Sequence, residues 1–124
     1  MTTQTAMTSE IQRFQSTRRL SRLVIHNGTV YVAGVVATDT SGDIGQQTAD
    51  VLAKIDEYLA SVGSSRNKLL TVQIWLKDIE RDFGGMNAVW EKWIPEDAVP
   101  TRATCEARLA TEAMLVEIIA TAAC

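Results

Sequence analysis

The sequence predicts an α+β fold in which one mixed β-sheet carries two helices packed on one face, a two-layer domain. Three observations lead there. Two β-rich runs flank the dipeptide Asn27-Gly28, two segments place apolar residues at helical spacing, and strand-like alternation fills the chain between and after those segments. The resulting order is β-β-β-α-β-α-β-β. At 124 residues the chain is long enough for one hydrophobic core and too short for two, so residues 1–124 read as a single domain. The polar, Thr-rich residues 1–8 are expected to be disordered.

Residues 10–15 predict a first strand. Leu23-Val24-Ile25-His26 and Thr29-Val30-Tyr31-Val32-Ala33 then form a hairpin, because Asn-Gly best tolerates the two positive-φ positions of a type I′ turn. Thr38 to Gly45, rich in Gly, Asp and Ser, reads as a loop. A helix follows from about Gln46 to Ser61, with Val51, Leu52, Ile55, Leu59 and Val62 on one face, and Gly63 supplies a left-handed end. Leu69 to Lys77 alternates around Leu70, Val72, Ile74 and Leu76 as a strand. Phe83, Met86, Val89, Trp90 and Trp93 recur at helical spacing, and Pro95 closes that helix. Two C-terminal strands complete the domain, one within Pro100–Leu109 and one over Leu115–Ala120. The sheet face without helices would still carry apolar residues such as Trp75 and Ile119, and burying it against further copies of the chain predicts a homo-oligomer.

Composition excludes several function classes. Hydrophobic content of 46% with 22% charged residues is ordinary for a globular domain, and a formal net charge of −3 argues against a nucleic-acid-binding surface. Arg18, Arg19 and Arg22 read as a solvated strand edge rather than a phosphate track. The single histidine, His26, is expected to be exposed beside the hairpin turn, and a zinc site is not expected. Cys105 and Cys124 show no metal-ligand spacing, and a terminal thiol suits a reducing compartment. No apolar segment reads as a secretory signal, and no run approaches the ~18 apolar residues of a membrane span. A cytoplasmic protein without a zinc site or a membrane partner is the expectation.

Arg102 is the candidate functional residue that the local chemistry singles out. It stands in Pro100-Thr101-Arg102-Ala103-Thr104-Cys105-Glu106-Ala107-Arg108-Leu109, a strand of small residues that would leave room before a guanidinium able to hold a carboxylate or phosphate through two hydrogen bonds. The bland alternative is a structural ion pair with Glu106 or Glu117. Glu117, in the apolar run Leu115-Val116-Glu117-Ile118-Ile119-Ala120, reads either as a partly desolvated acid or base or as an edge or interface carboxylate. By alternation Cys105 faces away from Arg102 and Thr104, as a buried small hydrophobe. Trp75, Trp90 and Trp93 read as core or interface packing, and Arg108 as surface or interface.

The chain resembles the YjgF/Rid family of reactive-intermediate deaminases, in its divergent rather than its best-characterised members. The likeness rests on the Arg102 segment and the Val116-Glu117-Ile118 strand, together with Thr29-Val30-Tyr31-Val32-Ala33-Gly34, Gln46-Gln47-Thr48-Ala49-Asp50-Val51-Leu52, Leu70–Asp78 and Asp82-Phe83-Gly84-Gly85-Met86-Asn87-Ala88-Val89-Trp90. It covers roughly residues 18–123. The resemblance implies a chorismate-mutase-like fold and a homotrimer with clefts between neighbouring subunits.

It also implies roles by position. Arg102 matches the arginine that binds the substrate carboxylate, Glu117 the acid that orients the hydrolytic water, Asn87 a helix residue near the cleft, and Gly34 the glycine beside the pocket. Leu20, Ala33 and Thr104 replace a tyrosine, a serine and a cysteine of the best-known deaminases, which alters the polar lining. The implied reaction is hydrolysis of a 2-imino acid, formed from an enamine, to a 2-keto acid and ammonia without a cofactor. A non-catalytic sensor of small carboxylic acids would use the same residues. An RNA-directed or chaperone-like role, suggested for family members, fits the acidic balance poorly.

Overall fold

The computed structural model describes residues 10–124; the predicted disorder of residues 1–8 lies outside them. Six strands form one sheet: β1 (Gln12–Ser16), β2 (Ser21–His26), β3 (Thr29–Val36), β4 (Leu69–Leu76), β5 (Thr101–Glu106) and β6 (Val116–Ala123). Helices α1 (Ile44–Ala60) and α2 (Ile79–Trp93) cover one face, and a 3₁₀ turn (Arg66–Lys68) leads into β4. The strands lie in the order β1-β2-β3-β6-β4-β5, all neighbours antiparallel except β4 and β5. That one parallel pair needs a crossover, which α2 supplies. Among the described residues, no helix is long and apolar enough to cross a membrane.

Local chemistry explains most boundaries. Asn27 and Gly28 have φ of 50° and 80°, the pair of positive values a type I′ turn requires. Helix α1 begins at Ile44, two residues before its expected start, because Asp43 and Gln46 form a reciprocal capping box. At its other end Ser64 N–H donates to Leu59 O and Gly63 N–H to Ala60 O, a Schellman arrangement with Gly63 at φ 78°. Asp78 caps α2 through the Arg81 N–H.

The core lies between the sheet and the helices. Val51, Leu52, Ile55 and Leu59 of α1 and Met86 and Trp90 of α2 pack on Leu23, Val32, Ile74 and Ile118. The helices approach so closely that a Cβ on Gly85 would stand 2.7 Å from Ile44 Cγ2. Arg66 locks them together. Its guanidinium pairs with both oxygens of Asp56 in α1 and donates to Trp93 O in α2 at 2.8 Å, while Trp93 Nε1 donates to Asp56 at 2.9 Å. Gln47, 1% exposed, ties the α1 N-terminus to the segment entering β6. Its amide nitrogen donates to Gly42 O and Ala113 O, and its oxygen accepts from the Leu115 N–H.

Four expectations are corrected. Leu70 does not belong to the buried stripe of β4: the β4–β6 register shifts by one between Leu69 and Thr71, so Leu69 and Val72 both face the core while Leu70 is exposed. Phe83 sits on the solvent side of α2. Cys105 faces away from Arg102, as its alternation requires, but is exposed, because that face of edge strand β5 has no helix over it. His26 is half-buried rather than exposed, since it pairs with Thr29 inside the hairpin ladder.

Two glycine substitutions test this account by urea unfolding. Gly63→Ala has free space but the wrong sign of φ, and should cost about 1 kcal/mol. Gly84→Ala, on an open helical position with no heavy atom within 4 Å, should gain about 0.5–1 kcal/mol.

Candidate functional site

Arg102 lies on edge strand β5, opposite Val72 of β4, and turns toward the helix layer. Met86 and Trp90, one helical turn apart on α2, receive it. The guanidinium carbon stands 5.4 Å from the centre of a Trp90 ring, and Nη1 is 4.0 Å from Met86 Sδ. Among the described residues Arg102 has no ion-pair partner, so the structural pairing with Glu106 or Glu117 is not formed; Glu106 instead accepts from the Ile79 N–H. Burial pushes the Arg102 pKa down, opposed by the charge of Glu91. A cation held on an aromatic ring and a thioether, with its hydrogen-bonding fork uncommitted, is suited to capturing an anion.

Thr104 follows two residues along the same side of β5. Its hydroxyl is buried and has no hydrogen-bond partner within the described chain. Asn87 is half-buried on α2, directly after Met86. Arg102 and Thr104 therefore share one side of edge strand β5, while Asn87 lies on the helix whose Met86 and Trp90 receive Arg102.

Glu117 belongs to the other side of the sheet. In β6 it alternates with the fully buried Val116 and Ile118, and it stands beside Val36 of β3 and Trp75 of β4. Its carboxylate rests on the backbone of Gly34. A Cβ added to Gly34 would overlap Glu117 Oε2 and stand 3.1 Å from its Cδ, so glycine is required for this approach. The contact depends on a β-bulge: the β3–β6 register shifts by one residue between Val32 and Val35, leaving Ala33 and Gly34 as the irregular pair. Both are half-buried. Leu20, 44% exposed, sits in the Thr17–Leu20 turn that joins β1 to β2.

The structure thus brings Gly34, Ala33 and Glu117 together, and separately sets Arg102 and Thr104 on one side of β5. Within one chain the two groups lie on opposite sides of the sheet, and Leu20 immediately precedes β2, the strand paired with β3 that carries Ala33 and Gly34. Between them the open face is mixed in character. Trp75 and Ile119 are half-buried there, while Thr71 and Thr121 share a hydrogen bond of 2.7 Å beside a shallow depression of about 510 Å³ over β4, β5 and β6. Among the described residues no group of His, Cys, Asp and Glu is arranged to hold a metal ion.

Two contributors escaped the sequence reading. Trp90, taken as packing, also forms the platform under Arg102; its i, i+4 spacing from Met86 was the available signal. Arg22, taken as part of a solvated edge, is half-buried and donates through Nη2 to Ala33 O at 3.1 Å and Gly34 O at 3.0 Å. No local pattern announced those bonds, because the bulge that frees the two carbonyls forms only when β3 pairs with β6.

Comparison with known proteins agrees with this architecture. The family model described as Endoribonuclease L-PSP matches residues 10–124. A RutC family protein of Haemophilus ducreyi is 42% identical over 113 residues, covering 91% of this chain and 96% of its own. Among solved structures, a YjgF-family protein of Neisseria meningitidis superposes with a TM-score of 0.89 at 40% identity, covering 93% of this chain and 95% of its own. An uncharacterised protein of Pseudomonas aeruginosa gives 0.88 at 45% identity, covering 92% and 98%. The matched span includes every strand and both helices, and the chain belongs to the YjgF/RutC family, whose model carries the description Endoribonuclease L-PSP.

Proposed function

We propose that the protein is a cytoplasmic deaminase that hydrolyses reactive 2-imino acids to 2-keto acids and ammonia. The observation that carries this reading is Arg102: a half-buried guanidinium with no ion-pair partner among the described residues, whose donors remain free for a substrate carboxylate. The net charge of −3 favours a small anion over RNA as the occupant. Because Arg102 and Glu117 lie on opposite sides of one sheet, the reaction needs the Arg102 edge of one subunit against the Glu117 side of a neighbour. A homotrimer with inter-subunit clefts meets that need.

The chemistry requires little beyond positioning. The imine carbon is already electrophilic, especially when its nitrogen is protonated. Arg102 holds the carboxylate by two hydrogen bonds, and Glu117 orients a water and takes its proton as the C–O bond forms. The resulting carbinolamine collapses by breaking the C–N bond, with the proton returned to nitrogen so that ammonia leaves. Thr104 presents a free hydroxyl beside the bound carboxylate, and Asn87, on the helix that receives Arg102, is assigned to the lining of the cleft. Leu20 and Ala33 offer apolar surface in place of hydroxyls, which suits substrates with bulkier side chains.

Imines generated in place by an amino-acid oxidase, with semicarbazide trapping whatever survives, test this proposal. The wild type should lower semicarbazone formation. Arg102→Ala and Glu117→Gln should each lose about 100-fold or more in kcat/KM. No effect of the wild type across small and bulky imines, with retained binding of 2-keto acids, would overturn the hydrolase and leave a carboxylate sensor. A second prediction separates a ligand-binding arginine from a structural one. Arg102→Met replaces an unpaired, desolvated cation by an apolar chain against Met86 and Trp90, so thermal stability should equal or exceed that of the wild type while keto-acid binding is lost.

A further inference from the structure

We propose that Arg22 is a positioning residue for the Glu117 step: by holding the two carbonyls of the β3 bulge, it fixes the backbone on which the Glu117 carboxylate rests. The inference rests on the reading above in which Glu117 directs the attacking water.

A bulge breaks the ladder and frees backbone acceptors that must find other donors when they are buried. Here both Ala33 O and Gly34 O take hydrogen bonds from one nitrogen, Arg22 Nη2, at 3.1 and 3.0 Å. The same guanidinium lies 5.1 Å from the centre of the Tyr58 ring on α1, which keeps its plane in place. Arg22 has no ion-pair partner among the described residues, and its buried Nε has no acceptor, so backbone carbonyls are its only polar anchors there. An arginine buried in this way costs desolvation that a plain strand residue would avoid, and what it stabilises is the bulge. The bulge in turn sets Gly34 directly beneath Glu117 Oε2, a contact too close for any Cβ. Moving Gly34 by a few tenths of an ångström therefore moves the seat of the carboxylate. Arg102, on the far edge strand, is untouched by that movement.

This separation defines the test. In Arg22→Met the imine-hydrolysis kcat should fall roughly 10-fold or more, with a smaller change in KM, because the Arg102 carboxylate hook stays in place while the seat of Glu117 is disturbed. Arg22→Lys, which keeps a cation able to reach the carbonyls, should recover part of the lost kcat. Carbon-13 NMR of the Glu117 carboxyl group provides a readout independent of turnover. It is recorded at 0.5 M salt, where a Debye length of roughly 4 Å suppresses the loss of a distant charge. Its chemical shift should move in Arg22→Met and return toward wild type in Arg22→Lys. A kcat within 2-fold of wild type would overturn the proposal, as would a kcat lost while the Glu117 resonance stays in place. Should Arg22→Met not fold, Arg22→Lys decides by the same two readouts: its kcat should lie below that of the wild type and its Glu117 resonance should be displaced, and wild-type values of both would overturn the proposal. A wild type without turnover removes the deaminase reading alone, and the Glu117 resonance still settles whether Arg22 holds its seat.

Discussion

The insertion of β6 between β3 and β4 is the constraint on which the rest of the molecule depends. Without it the chain holds two separate ladders, β1-β2-β3 and β4-β5, each with an unpaired inner edge. The last strand satisfies both edges at once through antiparallel pairing. Its ends are fastened from outside the sheet: Leu115 N–H donates to Gln47 Oε1, Ser64 Oγ donates to Ala123 O, and Cys124 N–H donates to Gly28 O. Alternation along β6 then divides its side chains, with Val116, Ile118, Ala120 and Ala122 under the helices and Glu117, Ile119 and Thr121 on the other side. The acid thus stands on a central strand held on both sides, a more rigid mount than a loop.

Irregularity in the ladder is concentrated where side chains need re-aiming. Each of the two neighbours of β6 carries one extra residue. In β4 it expels Leu70 from the core, and in β3 it brings the Gly34 backbone against Glu117. The arginines show a parallel division. Arg66 and Arg81 are matched to carboxylates and hold structure together. Arg22 spends its donors on bulge carbonyls, and Arg102 leans on an aromatic ring with its fork unspent. A half-buried cation with no ion-pair partner among the described residues contributes little to holding a fold together, which sets Arg102 apart from Arg66 and Arg81.

Much of this was legible in the chain because it is local. Asn27-Gly28 carries its own turn geometry, Gly63 its own helix ending, and the 3.6-residue spacing of Val51, Leu52, Ile55 and Leu59 its own buried face. These depend on backbone torsions and side chains within a few residues, and residue type determines them directly. The candidate site was legible only as a set of residues. Arg102, Thr104, Asn87, Gly34, Ala33 and Glu117 were all named from position, yet no pattern near any of them says which side of the sheet it occupies.

Tertiary structure alone decided the matters that turn on pairing between distant segments. Strand order places β6 centrally and β5 at an edge, which exposes Cys105 and lets Arg102 turn against α2. The two bulges, invisible to a strict two-residue alternation, moved Leu70 outward and created the acceptors that Arg22 fills. The separation of Arg102 from Glu117 arises in the same way, since each faces its side by the register of its own strand. The sequence by itself determined which elements form and which chemistry they carry, because torsional preference and periodicity are short-range. Where those groups point was left to the ladder, because a register shift of one residue reverses a side chain and is set only by a partner strand far away in the chain.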